Sequence, residues 1–453
     1  MIKKIELKFN SFFTEGHSRT LLAKKNIAIS FLIKGGSIII GLLLVPMTIN
    51  YVNPTQYGIW LTLSSIISWF NFFDIGLGNG LKNKLAETNA LGQNEKGQIF
   101  VSTTYAILTI ISIVVFLLFF CINPFLNWAG ILNSTNYTGQ SLNLVALTIV
   151  GFFCVSFVIQ LINTILTANH KPAKSSQIGL IGSFLSLIII YILTVKTEAS
   201  LIKLVLVLAG IPLLVQVIAT FWLFRTSLSS LSPKYKLINF KYAKELLSVG
   251  GVFFIIQIGA LVLFQTDNIV ITQLFGPKEV TTFNIAYKLF SVIIMIITII
   301  MTPFWSAYTE AYAKNDLVWI KEIFLKMKKY WLFLCFFSIL LFCVSPIIFE
   351  IWLNGSVKIA LSISLAMSIY VIGYCWMMIH CFLLNGIGKI RLQLYLYIGS
   401  TILNIPIAIM LGKEYGIVGV ISSNIICFLI MGTFLSIQCK KIINKTATGI
   451  WNQ

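Results

Sequence analysis

Long apolar runs separated by short polar turns make up this chain from residue 26 onward. A helix rises ~1.5 Å per residue and must cross ~30 Å of hydrocarbon, so roughly 20 mostly apolar residues predict one membrane span. Twelve stretches reach that length: 26–50, 58–81, 99–126, 142–169, 176–195, 201–224, 247–275, 282–308, 330–353, 358–386, 390–412 and 415–438. The pattern predicts an all-α integral membrane protein with twelve transmembrane helices. An even number of spans places both termini on one side. The first apolar stretch is too long for a ~7–15-residue signal-peptide core and lacks a small-residue cleavage site, so it is predicted to stay as the first span.

Composition agrees. Of 453 residues, 58% are hydrophobic and 10% charged, whereas a soluble domain carries about 25% charged residues. That excludes an ordinary globular enzyme, a disordered scaffold and a nucleic-acid module. The net charge of +19 comes from 33 basic against 14 acidic residues. With the N-terminus inside, 26 of the basic residues fall in inner segments, five in outer ones, and two, Lys34 and Lys288, within spans. Basic residues accumulate in cytoplasmic loops, so both ends of this multi-pass chain are predicted to be cytoplasmic. The N-terminal MIKKIELKFNSFF admits two readings, a short helix lying on the anionic inner leaflet or a solvated basic tail.

The two halves are weakly alike. IKGGSIIIGLLL (33–44) and SVGGVFFIIQIG (248–259) open spans one and seven, and a proline-containing outer turn follows each, YVNPTQYG (51–58) and LFGPKEVT (274–281). Both spans start inside, which predicts parallel repeats related by an axis along the membrane normal. The predicted organisation is a basic, amphipathic N-terminal segment (1–25), a six-helix bundle (26–225), a cytoplasmic linker (226–246), a second six-helix bundle (247–438) and a cytoplasmic tail (439–453).

Missing motifs narrow the chemistry. NGIGKIR (385–391) lacks the first glycine of a phosphate-binding loop, and FDIGLGNG (73–80) ends an apolar helix rather than following a strand, so neither predicts a nucleotide site. No cofactor is implied. The eight cysteines form no Cys-x-x-Cys pair and no zinc-like spacing with the histidines, and read as small hydrophobes within apolar segments.

Charges inside spans carry more information, because one near a helix centre costs ~2.5–3.5 kcal/mol on insertion scales. Lys34 lies in span one, Asp74 beside Asn71 in span two, Asp267 beside Gln265 in span seven, and Lys288 in span eight. Three readings stand open. Lys34–Asp74 and Lys288–Asp267 form internal salt bridges that fix helix register; Lys288 and Asp267 snorkel to the outer interface; or the lysines line a positively charged cavity for an anionic head group, completed by polar positions such as Gln160, Asn163, Glu310 and His380. His380 also reads simply as a packed histidine. Pro46, Pro212, Pro303, Pro346 and Pro406 fall within spans, where they bend helices and free carbonyls.

The run YVNPTQYGIWLTLSSIISWFNFFDIGLGNGLKNKLAE (51–87) closely resembles the first outer turn and second span of bacterial O-antigen and polysaccharide flippases. Those proteins belong to the MATE-like multidrug/oligosaccharidyl-lipid/polysaccharide exporter superfamily. FFIIQIGALVLFQTDNIVITQLFGP (253–277), FNIAYKLFSVIIMIITIIMTPFWSAYTEAY (283–312) and NGIGKIRLQLY (385–395) extend the resemblance over nearly the whole chain. It implies a V-shaped pair of six-helix bundles in the bacterial inner membrane, moving an undecaprenyl-pyrophosphate-linked oligosaccharide between leaflets by alternating access. Implied partners are that lipid-linked oligosaccharide, membrane lipids and other polysaccharide-assembly membrane proteins.

Related lipid flippases carry cavity-facing cations on the first and eighth spans, the spans that hold Lys34 and Lys288. Lysine in place of arginine leaves point-charge attraction rather than bidentate phosphate recognition. With no ATPase motif, transport would draw on an ion gradient, membrane potential or product consumption, and Asp74, Asp267 and Glu310 are candidates for ion coupling. The alternative function is an ion-coupled multidrug or cation exporter of the same fold. A membrane polymerase or glycosyltransferase would want a large outer loop or a paired acidic site, and the chain has neither.

The charge asymmetry makes a direct prediction. Reporter fusions after Lys25 and after Lys445 should both report the cytoplasmic side, and a fusion within 127–141 the opposite side; a split between the two ends would overturn the twelve-span topology.

Overall fold

A computed structural model describes residues 18–68, 77–134, 139–169, 171–246 and 265–453. Every regular element among the described residues is helical. The order is α1 (Ser18–Val52), α2 (Pro54–Ser68), α3 (Leu77–Ala90), α4 (Asn94–Ile122), α5 (Gly139–Ile159), α6 (Leu161–Ala168), α7 (Pro172–Lys196), α8 (Leu201–Val205) and α9 (Ile211–Arg225). Residues 265–275 form helix α10. Then come α11 (Pro277–Ala313), α12 (Leu317–Leu353), α13 (Leu361–Ile387), α14 (Arg391–Tyr415) and α15 (Ile417–Ile443).

Among the described residues, ten helical stretches are long and apolar enough to cross a membrane. The other two predicted spans, 58–81 and 247–275, include residues outside the described ones, as does the N-terminal segment 1–17. Helix is the required choice here, because hydrocarbon offers no partner for a free backbone N–H or C=O.

The helix ends are written in the sequence. The Asp316 carboxylate accepts from the Trp319 N–H at 3.0 Å and caps α12, while Asn354 ends it in the left-handed region at φ 47°. Pro46, Pro346 and Pro406 lie inside continuous helices. Before Pro212 the ladder changes, with a π-helical stretch over Leu206–Gly210 between α8 and α9. A wider turn of this kind leaves room for the proline ring and its missing donor.

Contacts divide the chain into two compact units. The first comprises Met1–Met47, Gly76–Cys121 and Val150–Gly250. Its core joins Leu81 and Leu85 of α3, Phe100 and Val101 of α4, and Ile162 and Ile165 of α6 to Leu231 and Leu246 of the linker. That linker is a fastened strap. Gln98 Nε2 donates to the Ser232 carbonyl at 2.7 Å, the Lys234 N–H donates to Ser102 Oγ at 3.0 Å, and the Asn239 N–H donates to Thr103 Oγ1 at 3.0 Å.

Lys84 lies 2.7 Å from Glu245 and 3.0 Å from Glu87. These carboxylates, Glu245 first, hold its ammonium above the usual lysine range. The lysine's share of this stabilisation is fully present below the ordinary lysine pKa and is lost as pH climbs through the raised one. At Gly80 an added Cβ would sit 2.0 Å from the Leu246 carbonyl oxygen, so the strap's last residues require a glycine on α3.

The second unit comprises Thr48–Ile75, Ile122–Ile149 and Gly251–Gln453. Here the two proline turns that the sequence pairs as repeats pack on each other. Thr281 Oγ1 donates to the Pro54 carbonyl at 2.6 Å, and Gly58 lies so close to the Pro277 carbonyl that a Cβ would fall 1.6 Å from its oxygen. Gly58 and Thr281 each follow their own proline by one helical turn. The contact is thus reciprocal, as a two-fold relation between parallel repeats requires.

The strap predicts a protease phenotype. In Ser102→Ala/Thr103→Val, limited trypsin digestion of the purified protein should cleave at Lys234, Lys236 or Lys241 at least several-fold faster than in wild type, each lost hydrogen bond being worth about 1 kcal/mol. An unchanged rate would mean that the Ser102 and Thr103 hydroxyls do not hold the strap.

Candidate functional site

The second unit concentrates polar side chains where an apolar interior would otherwise stand. The first group is a seam between α2 and α10. Thr62 and Thr272 hydroxyls meet at 2.6 Å, Asn268 Nδ2 donates to Ser65 Oγ at 2.5 Å, and Asn284 Nδ2 on α11 donates to Asn268 Oδ1 at 2.7 Å. At one end of the seam, Gln273 donates its amide to the carbonyls of Gly130 and Ile131. Asn133 Nδ2 donates to the Gln273 carbonyl at 3.3 Å. All of these partners are neutral.

The second group surrounds Asp267, which is 3% exposed. Its Oδ2 accepts from Asn424 Nδ2 on α15 at 2.8 Å. Asn424 Oδ1 in turn accepts from Asn404 Nδ2 on α14 at 3.2 Å, and Asn404 also reaches Ser423 Oγ at 3.2 Å. The chain of amides stops at the carboxyl, because Asp267 Oδ1 is buried without a partner among the described residues. Thr266 Oγ1 beside it and Asn404 Oδ1 at the far end are also unpartnered. A buried acceptor without a donor costs about 1–3 kcal/mol, more when charged, and such orphans mark places where a proton, ion or water can be held.

Tyr370 packs edge-on against Tyr287 at 6.0 Å and against Phe428 at 5.1 Å.

Lys288 is half-buried on α11, one turn beyond Asn284. Among the described residues its ammonium is in no ion pair, with Asp267 or any other carboxylate. The first unit holds Lys34, which is exposed on α1. Its prospective partner Asp74, and Asn71 with it, lie outside the described residues. Glu310 falls on α11, with its side chain outside the described ones, and Gln265 is half-buried at the start of α10.

Asn163 Oδ1 accepts from Ser175 Oγ at 2.7 Å, and Gln160 stands half-buried at the break between α5 and α6. His380 is fully buried, its ring 4.4 Å from that of Trp376 and 5.3 Å from that of Phe324, with Nδ1 2.7 Å from the Trp376 carbonyl. All eight cysteines are free, with Cys121 and Cys343 exposed.

Sequence reasoning singled out Asp267 but not its holders. Asn424 and Asn404 are the only asparagines within α14 and α15, and an amide in the middle of an apolar helix was the signal available.

Comparison with known proteins agrees with this architecture. The structure matches the inward-facing conformation of a multidrug resistance MATE family transporter of the MOP superfamily, with a TM-score of 0.73 at 15% identity, covering 91% of this chain and 96% of that one. By fold, this is an all-α, multi-pass chain of the MATE type.

Residues 23–309 match the family described as polysaccharide biosynthesis protein, and 252–410 match the MatE family. The chain belongs to the polysaccharide biosynthesis protein family. Among curated relatives, a protein of Yersinia pseudotuberculosis named for O-antigen export is 23% identical over 405 residues, 87% of this chain and 90% of the relative. A Salmonella typhi protein named as an O-antigen transporter is 21% identical over 390 residues, 85% and 88% respectively.

The Asp267–Asn424 contact predicts an asymmetric mutational cycle. Asn424→Leu strips the carboxyl of its donor and should destabilise the purified protein by about 1–3 kcal/mol. Asp267→Leu/Asn424→Leu should be more stable than Asn424→Leu alone, since removing both partners leaves no stranded carboxyl. Additive losses in melting temperature would show that the two side chains are not coupled.

Proposed function

We propose that this chain is a flippase of the bacterial inner membrane, with both termini cytoplasmic. It moves a lipid-linked oligosaccharide, carried on undecaprenyl pyrophosphate, between leaflets by alternating access and makes or breaks no covalent bond. The reading is supported by the family match, by relatives named for O-antigen export, and above all by the state of Lys288.

A half-buried ammonium whose candidate partner Asp267 is engaged elsewhere, by Asn424, is free to attract an anionic group. A pyrophosphate–sugar head group cannot cross hydrocarbon unaided, while the prenyl tail can remain in lipid throughout. Lys34 and Lys288 lower the head group's barrier as point charges, and polar side chains replace part of its hydration.

Coupling is assigned to Asp267. One carboxylate oxygen is fixed by Asn424 and the other is unclaimed, which suits reversible capture of a proton or small cation. Asp74, Glu310, Asn71 and Gln265 are assigned supporting roles in coupling or in lining the path.

The MatE match over 252–410 and the MATE fold favour one other reading, an ion-coupled exporter of drugs or cations. Cationic cargo asks for acidic walls. Here the charges inside the predicted spans include Lys34 and Lys288, which oppose it.

The test is Lys34→Ala and Lys288→Ala in cells. Each should reduce surface polysaccharide at least roughly tenfold at normal protein level, as expected for loss of a desolvated charge contact, and arginine at either site should retain part of it. Normal polysaccharide in both alanine variants would end the cationic-site reading. A drug-resistance phenotype in place of a polysaccharide defect, on deletion of the whole chain, would favour the exporter.

A further inference from the structure

The ends of α13, α14 and α15 that lie beside the chain's last residues form a cationic face held in place by the tail. α13 ends at Gly388 in the left-handed region at φ +73°, a conformation glycine adopts without strain, and α14 starts three residues later at Arg391. Residues beyond α15 fold back onto this turn and close with a 3-10 helix at Gly449–Asn452.

Four contacts fasten the tail, and a fifth ties α15 to the same turn. Gln438 Nε2 donates to the Lys389 carbonyl at 3.2 Å and to the Trp451 carbonyl at 3.3 Å. Lys389 Nζ donates to the Asn452 carbonyl at 2.7 Å. Arg391 Nη1 donates to Gln453 Oε1 at 2.6 Å. The Lys441 ammonium stands 4.3 Å from the centre of the Trp451 ring.

These contacts order the cations without neutralising them, since every acceptor is a carbonyl oxygen or an aromatic face. From residue 351 to 453 the chain has a single acid, Glu414, at the opposite end of α14 from Arg391. Lys440, Lys445 and Arg391 are exposed. Five positive charges, Lys389, Arg391, Lys440, Lys441 and Lys445, therefore crowd the ends of three helices. Topology alone accounts for lysines on one side of a membrane, but it does not require a folded tail that fixes them in position. Beside them a cavity of about 400 Å³ is bordered by Ile390, Leu394 and Arg391. It places an apolar wall next to a guanidinium, as the junction between a phosphate and an acyl chain would require.

We infer that this face is a binding site for an acidic phospholipid, the lipid phosphate held by Arg391 and the α15 lysines and the upper acyl chain lying against Ile390 and Leu394. The inference needs the helix ends to lie at a membrane surface and does not depend on the cargo. Charge complementarity selects the occupant, because each basic residue near an anionic leaflet adds attraction that a zwitterionic lipid does not return.

The test is native mass spectrometry of the full-length protein in detergent with equal phosphatidylglycerol and phosphatidylcholine. Wild type should retain phosphatidylglycerol preferentially, and K440Q/K441Q/K445Q should lose at least about fivefold of that preference, while K440R/K441R/K445R keeps it. An unchanged preference in the glutamine variant would overturn the site. Should that variant fail to accumulate, salt decides on wild type: raising ionic strength from about 0.05 to about 0.5 M should erase the preference if charge holds the lipid, and a salt-independent preference would equally overturn it. Either failure leaves the polysaccharide phenotype of Lys34 and Lys288 untouched, so the two proposals fall separately.

Discussion

The expense of carrying an unsatisfied polar group into hydrocarbon governs this protein more than any single contact. Apolar packing holds soluble folds together, but between helices in lipid it offers little drive, because lipid tails are as apolar as leucine. Close approach and hydrogen bonding remain. The second unit uses both. Gly58 lets two backbones meet at the Pro277 carbonyl, and Thr62–Thr272, Ser65–Asn268 and Asn268–Asn284 form a line of neutral hydrogen bonds. Separating a hydroxyl pair into water costs little net energy, whereas separating a buried ion pair strands two charges.

The same expense distinguishes Asp267 from Lys288. Both sit within predicted spans, and mutual neutralisation would have been the least costly arrangement. Instead Asp267 takes an amide donor from α15, and the lysine is left without an ion-pair partner among the described residues. Separation leaves each with unused capacity, the carboxyl with a free oxygen and the lysine with a free charge. Unused capacity in a low-dielectric setting is expensive to maintain. Its retention at both positions supports the proposal that the unit handles ions or charged ligands rather than merely packing.

The spans were largely legible in the sequence, because length and hydropathy decide whether a helix crosses lipid and need no knowledge of neighbours. The reciprocal turns were half-legible: YVNPTQYG and LFGPKEVT could be paired as repeats, but nothing local says that Gly58 would meet Pro277. The partner of Asp267 was not legible. Asn424 lies 157 residues away, and a salt bridge to Lys288, 21 positions along the chain, looked equally sound on paper. The strap at 226–246 was hidden for another reason. Its lysines gave it the composition of a solvated loop, yet its backbone and its leucines do the binding, through Ser102, Thr103 and the core around Leu231.

Positive charge consequently has three separate uses here, and composition alone would have merged them. Lys84 is committed to Glu245 and Glu87 and holds a strap in place. Lys389 and Lys441 are held by carbonyl and aromatic acceptors that leave their charge outward-facing, as a surface meeting lipid phosphate requires. Lys34 and Lys288 have no carboxylate partner among the described residues, and under the proposed function these are the charges that attract an anionic cargo. Lysine suits that task better than arginine would. A guanidinium fixes a phosphate through paired hydrogen bonds that must be broken before release, while an ammonium attracts from several directions and lets the phosphate slide past. A carrier that must let go of its load on the far side gains more from the weaker grip.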